Sequence, residues 1–212
     1  MLEAHELSLA FERPLFSHVN IDIAAGASAA VVGVSGSGKS TLLHILSTFL
    51  PPQEGRVKLC GVDIYAISQT DRERLRKEAV GMIFQQHYLF RGFTARENLK
   101  VASLLSGYDI DERLMERLGI AHLLDQDAMN LSGGQQQRLS IARVLTKKPK
   151  FIYADEPTGN LDQANALEAI GILLEYVREN GAVLFLATHD ESIARKADRI
   201  FKLENGSLFL LQ

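Results

Sequence analysis

The segment from Gly33 to Ser40 constrains the fold of this chain most strongly, because it reads GVSGSGKS and matches the pattern G-x-x-x-x-G-K-[ST]. An apolar run at 29–32 before it predicts a buried strand, and residues 41–46 after it predict a helix that ends before Pro51. A strand, a glycine turn and a helix N-terminus form a cradle of backbone N–H groups for phosphate. A chance match would be only a Gly/Ser-rich turn, and the flanking elements argue against that. The sequence therefore predicts a site for the phosphates of a nucleotide.

The residues of this loop are candidate ligands of a nucleoside triphosphate and its Mg²⁺. Lys39 can reach the β- and γ-phosphates, and the Ser40 hydroxyl can join the oxygen shell that Mg²⁺ requires. The other candidates for nucleotide binding in and beside the loop are Gly33, Ser35, Gly36, Ser37, Gly38 and Thr41. The loop alone does not distinguish a kinase from a GTPase or a motor ATPase.

A second motif, LSGGQQQR at 131–138, precedes a predicted helix. Taken alone, it favours an ordinary helix start in which Ser132 is the N-cap. Its place in the chain, ahead of the apolar run 151–154 and the carboxylates Asp155 and Glu156, favours a functional role. An aspartate at such a strand end can hold the Mg²⁺ shell, and the carboxylate after it can face an attacking water.

With these motifs in this order, the chain resembles the nucleotide-binding subunits of ABC transporters over nearly its whole length. The corresponding segments are the phosphate loop at 33–40, the Q-loop glutamine Gln85, the signature at 131–135, the Walker B strand at 151–156, the D-loop at 157–162 and the switch histidine His189. The short length and the stretch 155–162 resemble the branch of macrolide and lipoprotein exporters. That branch also includes cell-division, haem-efflux and peptide-resistance ATPases.

The resemblance implies a role for each matching residue. The catalytic candidates are Glu156 as general base or water-polarising group, His189 as sensor of the γ-phosphate, Gln85 and Lys39. The metal candidates are Ser40, Gln85 and Asp155. In the family the signature caps ATP bound to the opposite subunit, so a homodimer encloses two ATP molecules; Ser132, Gly134, Gln135 and Asp162 are the further nucleotide-binding candidates. Adenine is expected to stack on Phe11, with Phe16 as the alternative.

The predicted fold class is α/β, a P-loop NTPase of the ABC ATPase type. Apolar strand patterns at 80–84, 151–154, 183–187 and 199–203 alternate with helices and predict a mostly parallel central sheet. Short strands within 7–23, 55–59 and 62–65 predict an antiparallel β-layer. Strand patterns are absent between Gln85 and Thr146, where helices are expected. The expected division of the single domain 1–212 is a catalytic core at 1–85 and 147–212 and an inserted α-helical subdomain at 86–146.

Composition restricts the partners of the chain. The net charge is −3 and the pI is about 6.1, so electrostatics gives no support for nucleic-acid binding. No apolar run approaches the ~18 residues of a membrane span, and the acidic, polar N-terminus is unlike a secretory signal. A transport pore would therefore belong to separate permease chains, and this chain is expected to lie peripherally at the cytoplasmic face of the membrane. The apolar residues 88–90 and Phe93 are candidates either for the groove that receives the permease or for the core of the helical subdomain.

Three functions are compatible with the motifs to different degrees. The first is the ATPase of a membrane exporter. The second is a non-transporting ABC ATPase that drives a membrane partner mechanically, as in cell division. The third is a small-molecule kinase, against which the signature helix and His189 both argue. The cargo is read by the permease and is not encoded in this chain.

Overall fold

Two β-sheets organise the computed structural model, which describes all residues 1–212. The strands are β1 Leu2–Ala10, β2 Pro14–Ile23, β3 Ser28–Val32, β4 Glu54–Leu59, β5 Val62–Asp63, β6 Val80–Ile83, β7 Phe151–Asp155, β8 Val183–Ala187, β9 Arg199–Glu204 and β10 Ser207–Leu210. The α-helices are α1 Lys39–Leu46, α2 Gln69–Ala79, α3 Ala95–Ser106, α4 Glu112–Arg117, α5 Gly133–Thr146, α6 Gln163–Asn180 and α7 Glu191–Ala194.

The central sheet has six strands in the order β10-β9-β3-β8-β7-β6. The five strands from β9 to β6 are parallel, and only β10 pairs antiparallel, as the hairpin partner of β9. This confirms the mostly parallel sheet expected from the apolar runs. Because the carboxyl ends of parallel strands meet at one edge, the loops after β3, β7 and β8 lie together there, where open α/β sheets bind ligands.

Both faces of the central sheet are buried, and alternate residues of each strand enter different hydrophobic clusters. Tyr153 and Phe185 belong to a cluster of 25 buried residues with α1 and the second sheet. Ile152 and Leu184 belong to a cluster of 33 buried residues that also contains residues of α3, α5 and α6. Burial on both faces explains why these strands appear in the sequence as continuous apolar runs.

The second sheet is the expected antiparallel layer, with the order β2-β1-β4-β5. The expectation that its strands begin near Leu7 was wrong, because β1 begins at Leu2 and residues 2, 4, 7 and 9 all face the core. The pairing register shifts between Ala4 and Leu7, and Glu6 has a φ of 54°. At this β-bulge the spacing between successive core-facing residues increases from two to three, which interrupts the alternating pattern in the sequence.

The stretch between β6 and β7 contains no strand and includes α3, α4 and α5. A capping box between Thr94 and Glu97 begins α3, as the sequence predicts, and Gly107 ends it with a φ of 78°. The observed fold is therefore the predicted α/β class, with a parallel sheet, an antiparallel layer and a helical insertion. Among the helices, none combines the length and the apolar character that crossing a bilayer would require.

Candidate functional site

The phosphate loop turns sharply between β3 and α1, and its glycines make that turn possible. Gly36 and Gly38 have φ values of 79° and 104°, in the region that side chains disfavour. A Cβ at Gly33 would lie 2.5 Å from the Leu203 carbonyl oxygen, so this position accepts no side chain without movement of the backbone. The loop therefore reaches the N-terminus of α1 in a conformation that directs backbone N–H groups to one side.

Lys39, the first residue of α1, points back along the loop. Its Nζ donates to the carbonyl oxygens of Gly33 at 2.7 Å and Val34 at 3.0 Å, and the residue is only 9% exposed. No carboxylate contacts this ammonium group. Its positive charge is therefore held beside the helix N-terminus, which itself attracts anions.

A cleft of about 490 Å³ opens over the loop at the carboxyl edge of the central sheet. Its lining residues come from five separate parts of the chain: Phe11, Leu15, Ser35, Gly36, Gly38, Lys39, Ser40, Thr41, Gln85, Asp155, Glu156 and His189. All of them except Leu15 were candidates from the sequence. The fold thus brings together residues that are separated by more than half of the chain.

Glu156 lies at the centre of a small polar cluster in this cleft. Its carboxylate accepts a hydrogen bond from the Thr188 hydroxyl at 3.3 Å and lies 2.9 Å from His189 Nδ1. The Glu156 side chain is 15% exposed, whereas that of His189 is 76% exposed. Glu156 also has a φ of 46°, a conformation that is costly for a residue with a side chain. The carboxylate is therefore oriented by Thr188 and His189 and lines the cleft.

The cleft also holds the three residues that the sequence proposes for Mg²⁺. Ser40, Gln85 and Asp155 offer a hydroxyl, an amide oxygen and a carboxylate, which are the hard oxygen donors that this ion prefers. No group of three His, Cys, Asp or Glu side chains is arranged to hold a metal ion by itself. The donor set fits a magnesium ion that takes part of its shell from phosphate oxygens and water.

Several predicted nucleotide-binding residues do not line the cleft. Gly33 and Ser37 belong to the loop itself, and the buried Ser37 Oγ has no hydrogen-bond partner. Ser132 caps α5 through a capping box with Gln135, and Asp162 caps α6 by accepting from the Asn165 N–H at 3.0 Å. This hydrogen bond and the one from the Asn165 side chain are the main causes that lower the pKa of Asp162.

The signature motif packs against the D-loop of its own chain instead of the nucleotide cleft. A Cβ on Gly134 would lie 3.1 Å from Leu161 Cδ2, and one on Gly133 would lie 3.7 Å from Asn160 Cβ. The two motifs are therefore in close contact within one chain. Within one chain, Ser132 is therefore the N-cap of α5 and does not line the cleft.

The two candidates for adenine stacking have different environments. Phe11 is 68% exposed and lines the cleft, whereas Phe16 is 1% exposed and belongs to the hydrophobic core. Leu15 also lines the cleft, and its Cγ would lie 2.9 Å from a Cβ on Gly38. The sequence pattern did not reveal Leu15, because β2 and β3 belong to different sheets and Leu15 meets the loop only through tertiary packing.

A second cavity, of about 510 Å³, lies between α2, α3, α5 and the segment after Gln85; we call it the lateral groove. Tyr88 and Phe90 line it, whereas Leu89 is buried in the core. Phe93 is 40% exposed and packs on Phe90, with ring centroids 5.6 Å apart, but does not line the groove. Residues 88–90 and Phe93 are therefore divided between the lining of this groove, the core and the partly exposed surface.

Two cations from α5 line this apolar groove without a carboxylate partner. The Arg143 guanidinium donates to the carbonyl oxygens of His87 and Tyr88, and Lys147 Nζ donates to that of Val80 at 2.9 Å. Burial lowers the pKa of both Arg143 and Lys147. The groove thus combines an apolar surface with partly desolvated positive charge, a combination that favours an acidic, amphipathic ligand. Arg143 was not singled out from the sequence.

Comparison with known proteins is consistent with this geometry. The ABC transporter family model matches residues 16–159. The lipoprotein-releasing system ATP-binding protein LolD of Xanthomonas campestris pv. campestris (strain 8004) is 40% identical over 201 residues, which cover 92% of this chain and 84% of that protein. LolD of Shewanella oneidensis is 39% identical over 200 residues, which cover 92% of this chain and 87% of that protein.

Two solved structures of the cassette MJ0796 have the same fold. The dimeric structure of MJ0796, described as a bacterial ABC transporter cassette, superposes with a TM-score of 0.87 at 29% identity and covers 100% of this chain and 99% of that one. A dimeric post-hydrolysis state of MJ0796 bound to ADP and Pi superposes with a TM-score of 0.86 at 29% identity, with the same coverage.

Proposed function

The chain belongs to the ABC transporter family and is an ATP-hydrolysing transporter subunit; we propose that it energises an exporter of lipid-modified proteins, docked on separate permease chains at the cytoplasmic face of the membrane. The observation that best supports docking on a permease is a continuous segment of chain that joins the nucleotide cleft to the lateral groove. One segment, from Gln85 to Phe90, begins in the nucleotide cleft and ends in the lateral groove. This segment is therefore a direct covalent link between the nucleotide cleft and the proposed docking site.

We assign the chemistry of ATP hydrolysis to residues of the cleft. Lys39 and the N–H groups of the loop neutralise the phosphates, and Glu156 accepts the proton of the attacking water or polarises it. His189, which contacts Glu156, monitors the γ-phosphate from the cleft opening. Ser40, Gln85 and Asp155 would hold Mg²⁺, which when bound neutralises charge on the β- and γ-phosphate oxygens. Phe11 stacks on the adenine.

We further propose that two copies enclose two ATP molecules. Ser132, Gly134 and Gln135 lie outside the cleft of their own chain, so the signature is available to the cleft of a second copy. The dimeric structures of MJ0796 support this arrangement for a chain of this fold. In this assembly each subunit binds the phosphates of one ATP in its own cleft, and its signature covers the ATP that is bound in the cleft of the second copy.

The proposed ligand of the lateral groove is an amphipathic helix of the permease that carries at least one carboxylate. Tyr88 and Phe90 would contact its apolar face, and Arg143 and Lys147 would pair with the acid. The two cations have no carboxylate partner within the chain, and a partly desolvated charge gains most from such a pair. The expected consequence is docking that weakens as salt is added.

The cargo class is proposed from the relatives. The LolD proteins are named as parts of lipoprotein-releasing systems and match 92% of this chain at about 40% identity. Under this proposal the permease recognises the cargo and this chain supplies the ATPase. The division into a core at 1–85 and 147–212 and a helical subdomain at 86–146 is part of the same proposal, because the lateral groove lies at that boundary.

Substitution of Phe90 by Asp tests the proposed function. Phe90 is 45% exposed, so the charge should be tolerated by the isolated chain but should oppose docking of an apolar helix face. We expect unchanged ATP binding, a folded protein by circular dichroism and thermal melt, and loss of co-purification with the co-expressed permease chains. Phe93→Asp should have a smaller effect, because Phe93 only packs behind Phe90.

Phe209→Asp is the matched control, since Phe209 is 51% exposed on β10 and lies outside the groove. It should co-purify like the parent chain. Full co-purification of a folded Phe90→Asp variant would place the permease elsewhere. A slow ATPase that the permease does not influence would contradict the transporter assignment itself.

A further inference from the structure

The turn that carries Phe11 is bound at its base by the side chain of a distant glutamine. Gln53 Oε1 accepts a hydrogen bond from the Ala10 N–H at 2.7 Å, and Gln53 Nε2 donates to the Ala10 carbonyl oxygen at 2.8 Å. Ala10 is the last residue of β1 and directly precedes Phe11. Both backbone groups of the residue before the proposed adenine-stacking ring are therefore held by one side chain.

This side chain takes the place of a missing strand partner. β4 begins at Glu54, which lies opposite Ser8 of β1, and the Gln53 N–H donates to the Ser8 carbonyl oxygen at 3.1 Å. The same register would place Pro52 opposite Ala10, and a proline has no N–H to donate. A primary amide offers a donor and an acceptor side by side, as a paired strand residue does. Gln53 therefore continues the pairing of β1 to its last residue.

The β-bulge at Glu6 brings Gln53 to this position. The pairing of β1 with β4 shifts in register before Ser8, so that Ser8 and not Leu7 lies opposite the first residue of β4. A Cβ on Gly55 would lie 2.4 Å from the Glu6 carbonyl oxygen, so a glycine is needed where β4 passes the bulge. A slip of one residue would reverse the faces of the side chains. The bulge therefore determines which residue reaches the end of β1.

The segment that carries Gln53 is itself bonded to α1, the helix that begins at the phosphate loop. The Tyr65 hydroxyl lies 2.6 Å from the carbonyl oxygen of Ile45, in the last turn of α1, and 2.6 Å from that of Leu50. Gln53 follows Leu50 after two prolines, whose fixed φ limits the freedom of the segment. The turn before β2 is therefore joined to the helix that holds the phosphate side of the cleft.

Beyond Ala10 the turn has little support of its own. Residues 11–14 are all exposed, and the backbone hydrogen bond within the turn runs from the Phe11 N–H to the Arg13 carbonyl oxygen at 3.1 Å. A ring that must be ordered when its ligand arrives loses part of its binding energy to that ordering. A support at the base of the turn therefore affects how well Phe11 can stack.

We propose that Gln53 is a positioning residue for the base of the nucleotide, because it holds Ala10 so that the Phe11 ring is in place before ATP binds. Gln53 does not line the cleft, so it acts through Phe11 and not by contact with the nucleotide. Its loss weakens the binding of the base and leaves the binding of the phosphates and the hydrolytic step unchanged. This inference rests on the proposed stacking of Phe11 on adenine.

The test compares Gln53→Ala with the parent chain in titrations with MgATP and with magnesium tripolyphosphate, which has no base. We expect the ATP Kd to rise about threefold to tenfold, because two exposed hydrogen bonds that hold the turn are lost. The tripolyphosphate Kd and the turnover at saturating ATP should stay within about twofold of the parent. Gln53→Glu keeps the acceptor for the Ala10 N–H but replaces the donor by a second acceptor, so it should weaken ATP binding as well.

Gln69→Ala is the matched control, because Gln69 is also an exposed glutamine whose side-chain amide donates a hydrogen bond, to Glu73 on α2 at 2.9 Å. It should bind ATP as the parent does. In a Phe11→Ala background, Gln53→Ala should raise the ATP Kd no further, since the ring through which it acts is gone. A further rise there, or equal weakening of ATP and tripolyphosphate, would show that Gln53 acts by another route and would overturn the inference.

The same titrations separate this inference from the stacking on which it rests. If Phe11→Ala raises the ATP Kd and Gln53→Ala does not, the positioning role of Gln53 is wrong while the stacking role of Phe11 stands. If Phe11→Ala leaves the ATP Kd unchanged, both are wrong.

Hydrogen exchange supplies a readout that needs no nucleotide. The Ala10 amide donates to Gln53, so its exchange should become about tenfold faster or more in Gln53→Ala. The Leu42 amide donates to the Gly38 carbonyl oxygen at 2.8 Å in α1 and should keep its protection. Equal exchange of the Ala10 amide in both proteins would mean that Gln53 does not hold the turn in solution. Loss of protection at Leu42 as well would mean that Gln53 supports the whole fold, and would equally contradict the proposal.

Discussion

Replacement of Glu156 by Gln is expected to separate ATP hydrolysis from ATP binding. The glutamine has the same shape and keeps an oxygen that can accept from Thr188 at the observed 3.3 Å. The change removes the negative charge and the proton acceptor, and little else. A positioned acid–base group contributes about 10²–10⁴ in rate, which corresponds to about 2.7–5.4 kcal/mol of transition-state stabilisation. We therefore expect turnover to fall by that factor while the ATP Kd is maintained.

The stability of this variant should change little. The carboxylate is largely buried, and its neutralisation removes a desolvation cost, while the lost attraction to the 76% exposed His189 is weak because solvent screens it. A net change within about 1 kcal/mol would move Tm by roughly 2–4 °C for a chain of this size. The measurements are steady-state phosphate release, nucleotide binding and a thermal melt.

Glu191→Gln is the control for this experiment, because Glu191, the first residue of α7, pairs with Arg195 and has a 78% exposed side chain outside the cleft. It should hydrolyse ATP at the parent rate. Turnover of Glu156→Gln within tenfold of the parent would refute the assignment of the general base. A large loss of Tm would show that the contacts of Glu156 with Thr188 and His189 matter mainly for folding.

Two further predictions concern the dimer and the adenine. In the Glu156→Gln background, Ser132→Arg should abolish the ATP-dependent dimers seen in sedimentation. Ser132→Ala loses only the helix cap, worth about 1 kcal/mol, and should still dimerise. Dimers of the Ser132→Arg variant would contradict the shared site. Phe11→Ala should weaken ATP binding about tenfold through loss of stacking worth about 1–3 kcal/mol and leave Tm unchanged. Phe16→Ala should instead destabilise the fold by about 3–5 kcal/mol. If ATP titrations show weaker binding for Phe16→Ala and thermal melts show destabilisation for Phe11→Ala, then Phe16 stacks on the adenine and Phe11 supports the core.

The arrangement of the nucleotide cleft was predictable from the sequence because the parallel sheet imposes it. Asp155 and Glu156 follow one apolar run and His189 follows another, so their strands deliver them to the same edge as the phosphate loop. Only the existence and direction of the strands were needed for this inference. The residues of the loop itself were predictable from local spacing.

The features that sequence patterns missed depend on contacts between distant parts of the chain. Arg143 contacts the carbonyl oxygens of His87 and Tyr88, and Asn160 contacts His87, although these pairs are 55 to 73 residues apart. No periodicity reports such contacts, because they arise when the helical insertion packs on the sheet. The start of β1 was missed for a local reason, since the bulge at Glu6 interrupts the alternation on which strand prediction depends.

The exclusion of Ser132 and its neighbours from the cleft of their own chain has a kinetic consequence. In the proposed dimer, each chain supplies half of each catalytic site and hydrolyses ATP only after it meets another copy, so the rate per chain should rise with protein concentration and then level off. On a permease with two docking places, the two copies are tethered side by side and their effective concentration no longer depends on dilution. The membrane partner would then determine how the ATPase rate depends on protein concentration, as well as the rate itself.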